Sequence, residues 1–386
     1  MSRHLAFIAF VFLSLLIFIH PPAYPCGKQQ ATVIHAQSKI QAAILLDVSN
    51  SMDGLIEQAK SQLWNMAIIL DKVRCGDDIP KVEIALYEYG RRSNESINGY
   101  VKQISAFTTN LDLLFQKLND LNTNGGDEYC GHAINSALDE LDWDNSALNY
   151  KVIFIAGNED FFQGDISYID ACKKAKMKGV IVNTIFCGDK TKGISEGWNL
   201  GADCSNGSFS NIDQTALPDQ TRTPYDSIIV SLNNKLNDTY VPFGIKGEDN
   251  IAAVMKMDTM ATSDISDPSK IIGYIVVKSN NRLNDKSKWD LAAAIEKDST
   301  ILERINADFL PDDMKNKSLP EIKKLVKIKS AERDAIRQEI EKNAANRANF
   351  IKEERVRLNI IDTPTLKTEI ERIVSEQVAR FNMKKM

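Results

Sequence analysis

Between residues 39 and 243 the chain alternates short apolar runs with longer amphipathic ones. IQAAILLDVS, VEIALYEYG, YVKQISAFTT, YKVIFIAGN and VIVNTIFCG are rich in Ile, Val, Phe and Tyr, and each predicts a strand. DGLIEQAKSQLWNMAIILDKV, LDLLFQKLNDL, CGHAINSALDELDW and ISYIDACKKAKMKG carry apolar residues three and four apart and predict helices. Runs such as AAILL and VIFIA leave no polar face, so they predict central strands covered on both sides. The alternation predicts an α/β fold with a doubly wound, mostly parallel sheet. Only RRSNESING separates the strands that begin near Val82 and Tyr100, which is too short and polar for a crossover helix and predicts one antiparallel edge strand.

Beyond the helix that ends near Asn237 the pattern weakens. Residues 244–288 are polar and Met-rich and read as an irregular connection, with one strand at IIGYIVVK. Residues 289–386 are dense in Lys, Glu, Arg and Asn, with Leu325, Ile328, Ile336, Ile340, Ala344, Ala348 and Ile351 recurring at near-helical spacing. This predicts a charged helical region, a hairpin or short coiled coil; because few large residues sit in the stripe, helices docked on another element or exposed to solvent are expected over a strong zipper.

At the front, Arg3 and His4 precede an almost wholly apolar run from Leu5 to Ile19, and Pro21, Pro22 and Pro25 follow it. Residues 1–25 therefore read as a signal peptide or tight N-terminal anchor; a spanning helix needs about 20 apolar residues. Any membrane association would come through this segment, with Cys26 as a candidate lipid acceptor. The chain is then expected to be exported, to a periplasm or cell envelope or into the medium.

With 386 residues, 43% apolar content and 26% charged content, the chain can bury a substantial core. The 47 basic and 52 acidic residues give a formal charge of −5, which provides no general attraction for a phosphate backbone and argues against nucleic acid as the partner.

The sharpest chemical pattern is Asp47-Val48-Ser49-Asn50-Ser51-Met52 at the end of the most apolar strand. One carboxylate and two hydroxyls at alternate positions would converge where an open parallel sheet binds ligands. Such oxygen donors suit Mg²⁺, Mn²⁺ or Ca²⁺. An alternative is that Asp47 and Ser49 only cap the following helix.

ILLDVSNSM, then NTNGGDEYCGHAI before a helix, then VIFIAGNED, together resemble a von Willebrand factor type A domain with its metal-ion-dependent adhesion site, over about residues 39–240. The resemblance implies a doubly wound sheet with one antiparallel edge strand, and a DxSxS motif on Asp47, Ser49 and Ser51. It also implies that a partner's carboxylate completes the coordination. Two positions depart from the family. Asp127, followed by Glu128, stands where a Thr usually follows the Gly-Gly, and Gly157, followed by Asn158 and Glu159, stands where a later loop carries Asp. Asp127, with Glu159 or Asn158, is expected to offset the missing ligand.

No catalytic set is expected. A phosphotransferase of the haloacid-dehalogenase type would need a second Asp where Ser49 stands, and Cys130 and His132 are badly spaced to form a pair on one helix. Five cysteines follow Cys26, so at least one thiol cannot pair within the domain; Cys130 and Cys187 are expected at the same sheet edge and form the candidate disulfide. The expected function is an exported binding or scaffold module that docks an acidic side chain of a protein partner through a divalent cation. A metal-independent module that binds through its helical tail is the alternative, and a hydrolase is the weaker third.

Overall fold

The computed structural model describes residues 37–385 apart from 54–55, 57–65, 213–220, 264–267, 281–284 and 359–365. The expected leader and Cys26 lie outside the described residues, as does most of the first predicted helix, of which 66–71 are helical.

The strands are β1 (Lys39–Asp47), β2 (Val73–Arg74), β3 (Lys81–Tyr89), β4 (Lys102–Thr108), β5 (Tyr150–Gly157), β6 (Ile181–Cys187), β7 (Phe209–Ile212) and β8 (Lys384–Lys385). Six of them form one sheet in the order β4-β3-β1-β5-β6-β7. Every neighbouring pair is parallel except β3 and β4, the expected edge hairpin. The connections run outward from β1 in both directions, so the crevice between the carboxyl ends of β1 and β5 is the switch point of the sheet. In register, Asp47 lies opposite Tyr89 on β3, and Leu46 opposite Ala156 on β5.

The helices are α1 (Leu111–Asp120), α2 (Cys130–Glu140), α3 (Tyr168–Lys178), α4 (Lys190–Ser195), α5 (Trp198–Asp203), α6 (Pro224–Asn237), α7 (Gly247–Ser263), α8 (Pro268–Ser279), α9 (Leu291–Lys297), α10 (Leu319–Arg357) and α11 (Leu366–Val378). Side chains alternate between the two sheet faces. Ala43, Leu45, Tyr87, Tyr89, Ile153 and Phe186 pack with α2, α3 and Trp198. Ile44, Leu46, Ile84, Leu86 and Phe154 pack on the other face with residues of α1, α6, α8, α10 and α11. This double cover explains why the central strands read as unbroken apolar runs.

Three expectations change. IIGYIVVK lies in α8, a helix buried nearly all round; without a polar face it shows no 3.6-residue period and resembles a strand in sequence. With α7 before it, the stretch read as irregular is largely helical. The long helix α10, opened by a capping box of Ser318 and Glu321, packs along α6 and α8. The disulfide joins Cys172 to Cys204, whereas Cys130 and Cys187 are buried thiols. Cys130 belongs to the core on one sheet face and Cys187 to the core on the other, so the sheet lies between them.

Candidate metal centre

β1 delivers Asp47 into full burial, with 0% of its surface exposed. The chain then turns. Val48 N–H donates to Tyr89 O at 3.0 Å, and Val48 O accepts from Asn124 N at 2.8 Å, which ties the first loop to the end of β3 and to the Gly-Gly loop. Asn50 Oδ1 accepts from Gly125 N at 2.8 Å and fixes that second loop further.

Within this frame Asp47 Oδ1 accepts from Ser49 N–H at 2.7 Å, while Asp47 Oδ2 is buried without a hydrogen-bond partner. Ser51 Oγ donates to Asn158 Oδ1 at 2.8 Å, and Asn158 Nδ2 donates to Ser51 O at 2.9 Å. In the 2.8 Å contact between the two serine hydroxyls, Ser49 must therefore be the donor. Ser49 Oγ also lies within bonding reach of the Asp47 and Glu128 carboxylates, but one hydrogen cannot serve three acceptors. The crevice thus holds more oxygen acceptors than hydrogens.

The shortage shows in the acid strengths. Burial pushes the Asp47 carboxyl up to about 7; the Ser49 amide and hydroxyl oppose this, and the Glu159 charge adds to it. Burial also pushes Glu128 up to about 7, followed by the charges of Asp47 and Glu159. A positive ion among these groups would reverse both effects.

Asp47, Ser49, Ser51 and Asn158 are brought together as the pattern of the first loop suggests. Glu159 is half-buried and reaches Asp47 and Glu128 through its charge, while its carbonyl accepts from Trp198 Nε1 at 2.7 Å. Asp127 is exposed, and the next residue, Glu128, is buried against the site. Sequence reasoning passed over Glu128. No periodic signal marks it, because the loop before the helix that begins at Cys130 has no regular structure.

Two glycines let the backbone close against the site. A Cβ on Gly90, whose φ of +79° also favours glycine, would lie 2.8 Å from Asp47 Oδ1 and 3.0 Å from Glu128 Cγ. A Cβ on Gly157 would lie 2.4 Å from Tyr89 Oη and 3.1 Å from Asp47 Oδ2. The position where the family carries an Asp therefore has no space for a side chain here.

Strand order, the single antiparallel edge and the loop geometry at β1 agree. The fold is of the von Willebrand factor type A kind. No family profile matches the sequence, and no curated protein does. Among solved structures the chain is similar to the VWA domain of SpRpn10, at 16% identity and a TM-score of 0.35, over 46% of this chain and 90% of that one. It is similar to the conserved hypothetical protein BatB from Bacteroides thetaiotaomicron, at 16% identity and a TM-score of 0.34, over 45% of this chain and 90% of that one. It is also similar to proximal thread matrix protein 1 from the mussel byssus, with a zinc-occupied MIDAS motif, at 13% identity and a TM-score of 0.35, over 47% of this chain and 43% of that one.

In this VWA-like sheet the donor set suits a hard cation. Among the described residues no three His, Cys, Asp or Glu side chains converge as a ligand cluster. Ser49 and Ser51 Oγ, 2.8 Å apart at the turn that follows Asp47, are the hydroxyl oxygens at this position.

Proposed function

We propose that this protein is an exported binding or scaffold module whose β1 site holds a divalent cation through Asp47, Ser49 and Ser51, and docks an acidic side chain of a protein partner. The observation that carries this reading is Asp47 Oδ2, buried without a hydrogen-bond partner on a carboxylate whose other oxygen accepts from Ser49 N–H. Burying such an acceptor unsatisfied costs about 1–3 kcal/mol, and a cation removes that cost. The few compact oxygen donors favour Mg²⁺ or Mn²⁺, which keep several waters, over the larger shell of Ca²⁺. When bound, the ion supplies positive charge for a partner's oxygen. Asn158 holds Ser51 in place from the β5 side, and Glu159 adds negative charge at the rim.

Export is supported by the apolar leader and by the Cys172–Cys204 disulfide, because such bonds persist in oxidising compartments. No helix among the described residues is long and apolar enough to cross a membrane.

Calorimetric titration of Mn²⁺ and Mg²⁺ into the full chain tests the site, with Asp47→Asn alongside. Binding should appear in the parent and vanish in the variant, with its fold checked by circular dichroism. Unchanged affinity in Asp47→Asn would remove the metal reading.

A further inference from the structure

Glu128 occupies a position that no motif assigned to it. A Cβ on Gly90 would crowd Asp47 Oδ1 at 2.8 Å, Glu128 Cγ at 3.0 Å and Ser49 Cβ at 3.5 Å, so these three side chains close together over the bare Gly90 backbone. Glu128 is therefore a close neighbour of Asp47 Oδ1 and Ser49. Glu128 is only 9% exposed, whereas Asp127 beside it faces solvent.

Two carboxylates in this burial need a countercharge. The neighbouring Arg91 is engaged elsewhere: its Nε reaches Glu88 Oε1 at 3.1 Å and its Nη1 reaches Asn122 Oδ1 at 3.1 Å. Among the described residues no Lys, Arg or His forms an ion pair with Asp47 or Glu128; the charges that act on both of them are other carboxylates. Glu128 faces this carboxylate of Asp47 on the Oδ1 side, and the other oxygen, Oδ2, is buried without a hydrogen-bond partner. One divalent cation cancels one Asp47 and one Glu128.

We propose that Glu128 is a resident anionic ligand of the β1 site, which retains the cation without a partner and has to be displaced by an incoming acidic side chain. This rests on the reading of β1 as a cation site and adds the carboxylate that closes it and the step that regulates access. With both negative charges supplied from within the chain, the bound ion has little net charge left to attract a third carboxylate. Docking then depends on Glu128 swinging out on its flexible stem.

The test is Mn²⁺ titration of the full chain without any partner, in the parent, Glu128→Ala, Glu128→Gln and Asp127→Ala, each with and without excess acetate. The parent should bind Mn²⁺ with or without acetate. Glu128→Ala should weaken binding by roughly tenfold or more, the least that even an outer-shell partner of a metal commonly costs. Acetate should restore part of that loss, because it places a carboxylate in the vacated space. Glu128→Gln should lose affinity but resist rescue, since its carboxamide still fills that space, and it guards against a folding defect in the alanine variant. Asp127→Ala should match the parent.

Parent-like affinity in Glu128→Ala, or loss in Asp127→Ala instead, would overturn the assignment and leave the cation site standing. A parent that binds Mn²⁺ only with acetate present would also overturn it, by showing a site open to external carboxylates. A parent that binds no ion under either condition would overturn both readings.

Discussion

Lys286 sits almost out of reach of water, with 3% of its side chain exposed. Its ammonium lies 5.4 Å from the centre of the Tyr240 ring, 3.8 Å from Asp112 Oδ2, and donates to Lys278 O at 3.2 Å. Burial brings its pKa down from 10.5 to about 8; Asp112 and Asp290 oppose this, and the charges of Lys278 and Arg337 reinforce it. The folded value is below the unfolded one, so between about pH 8 and 10.5 the unfolded chain binds more protons. Stability should therefore rise with pH through that window, while the full penalty persists below it. Lys278 is shifted the same way and adds to the slope. In urea unfolding at both ends of the window, Lys286→Met should flatten the rise by on the order of 3 kcal/mol. An identical slope in both chains would show that the Lys286 charge is solvated. Nothing in the sequence marked this lysine, because its burial depends on segments far apart in the chain.

At the scale of elements, α10 is placed by a polar anchor. Arg333 reaches Asp290 through Nη1 at 2.5 Å and Nη2 at 3.0 Å, with both side chains at most 2% exposed. Its Nε and Nη2 also donate to Thr239 Oγ1 and O, and its guanidinium lies 4.9 Å from the Tyr240 ring centre. Asp290 in turn caps α9 and accepts from Val241 N. Arg333→Ala leaves that carboxylate buried and uncompensated, and should destabilise the fold by about 3–5 kcal/mol in denaturant unfolding. A loss of under about 1 kcal/mol would mean that water replaces the guanidinium. The helical spacing of α10 was readable, but its packing was not. Its buried stripe includes Arg333, Asn343 and Arg347 among Ile322, Val326, Ile336 and Ile340, and polar residues in such positions look like solvent contacts in sequence. Arg347 donates from Nε to Asp226 Oδ1 at 2.7 Å, which joins α10 to the first turn of α6.

In the whole molecule, the segment after residue 245 completes the core of the α/β sheet. Tyr274, Ile275, Ile340, Ile373 and Val374 join the same apolar cluster as Ile44, Leu46 and Phe154. Gln377 of α11, with no exposed surface, accepts from Tyr150 Oη at 2.7 Å and exchanges bonds with Asn183 at 3.1 and 2.7 Å. β8 then pairs with β2. A chain that ends at residue 245 should therefore lose cooperative thermal unfolding and bind a hydrophobic dye, because one sheet face loses several covering helices. If that shortened chain unfolded cooperatively and bound Mn²⁺ like the parent, the later helices would be accessory to the fold.

The sequence by itself determined β1, β3, β4, β5 and β6 but not the short edge strand β7, together with the burial of the central strands on two faces, the antiparallel edge, and the placement of Asp47, Ser49 and Ser51 at the end of β1. These follow from local rules: side chains alternate along a strand, and an apolar run without a polar face is covered on both sides. Tertiary structure decided which acidic residue of the Gly-Gly loop turns inward, since the path of that loop is set against Gly90 and Asn50. It also decided that α8 is a helix, that Cys172 meets Cys204, and that the stripe of α10 covers α6 and α8. Local pattern records whether a side chain is removed from water, and only the assembled chain settles which distant residue removes it.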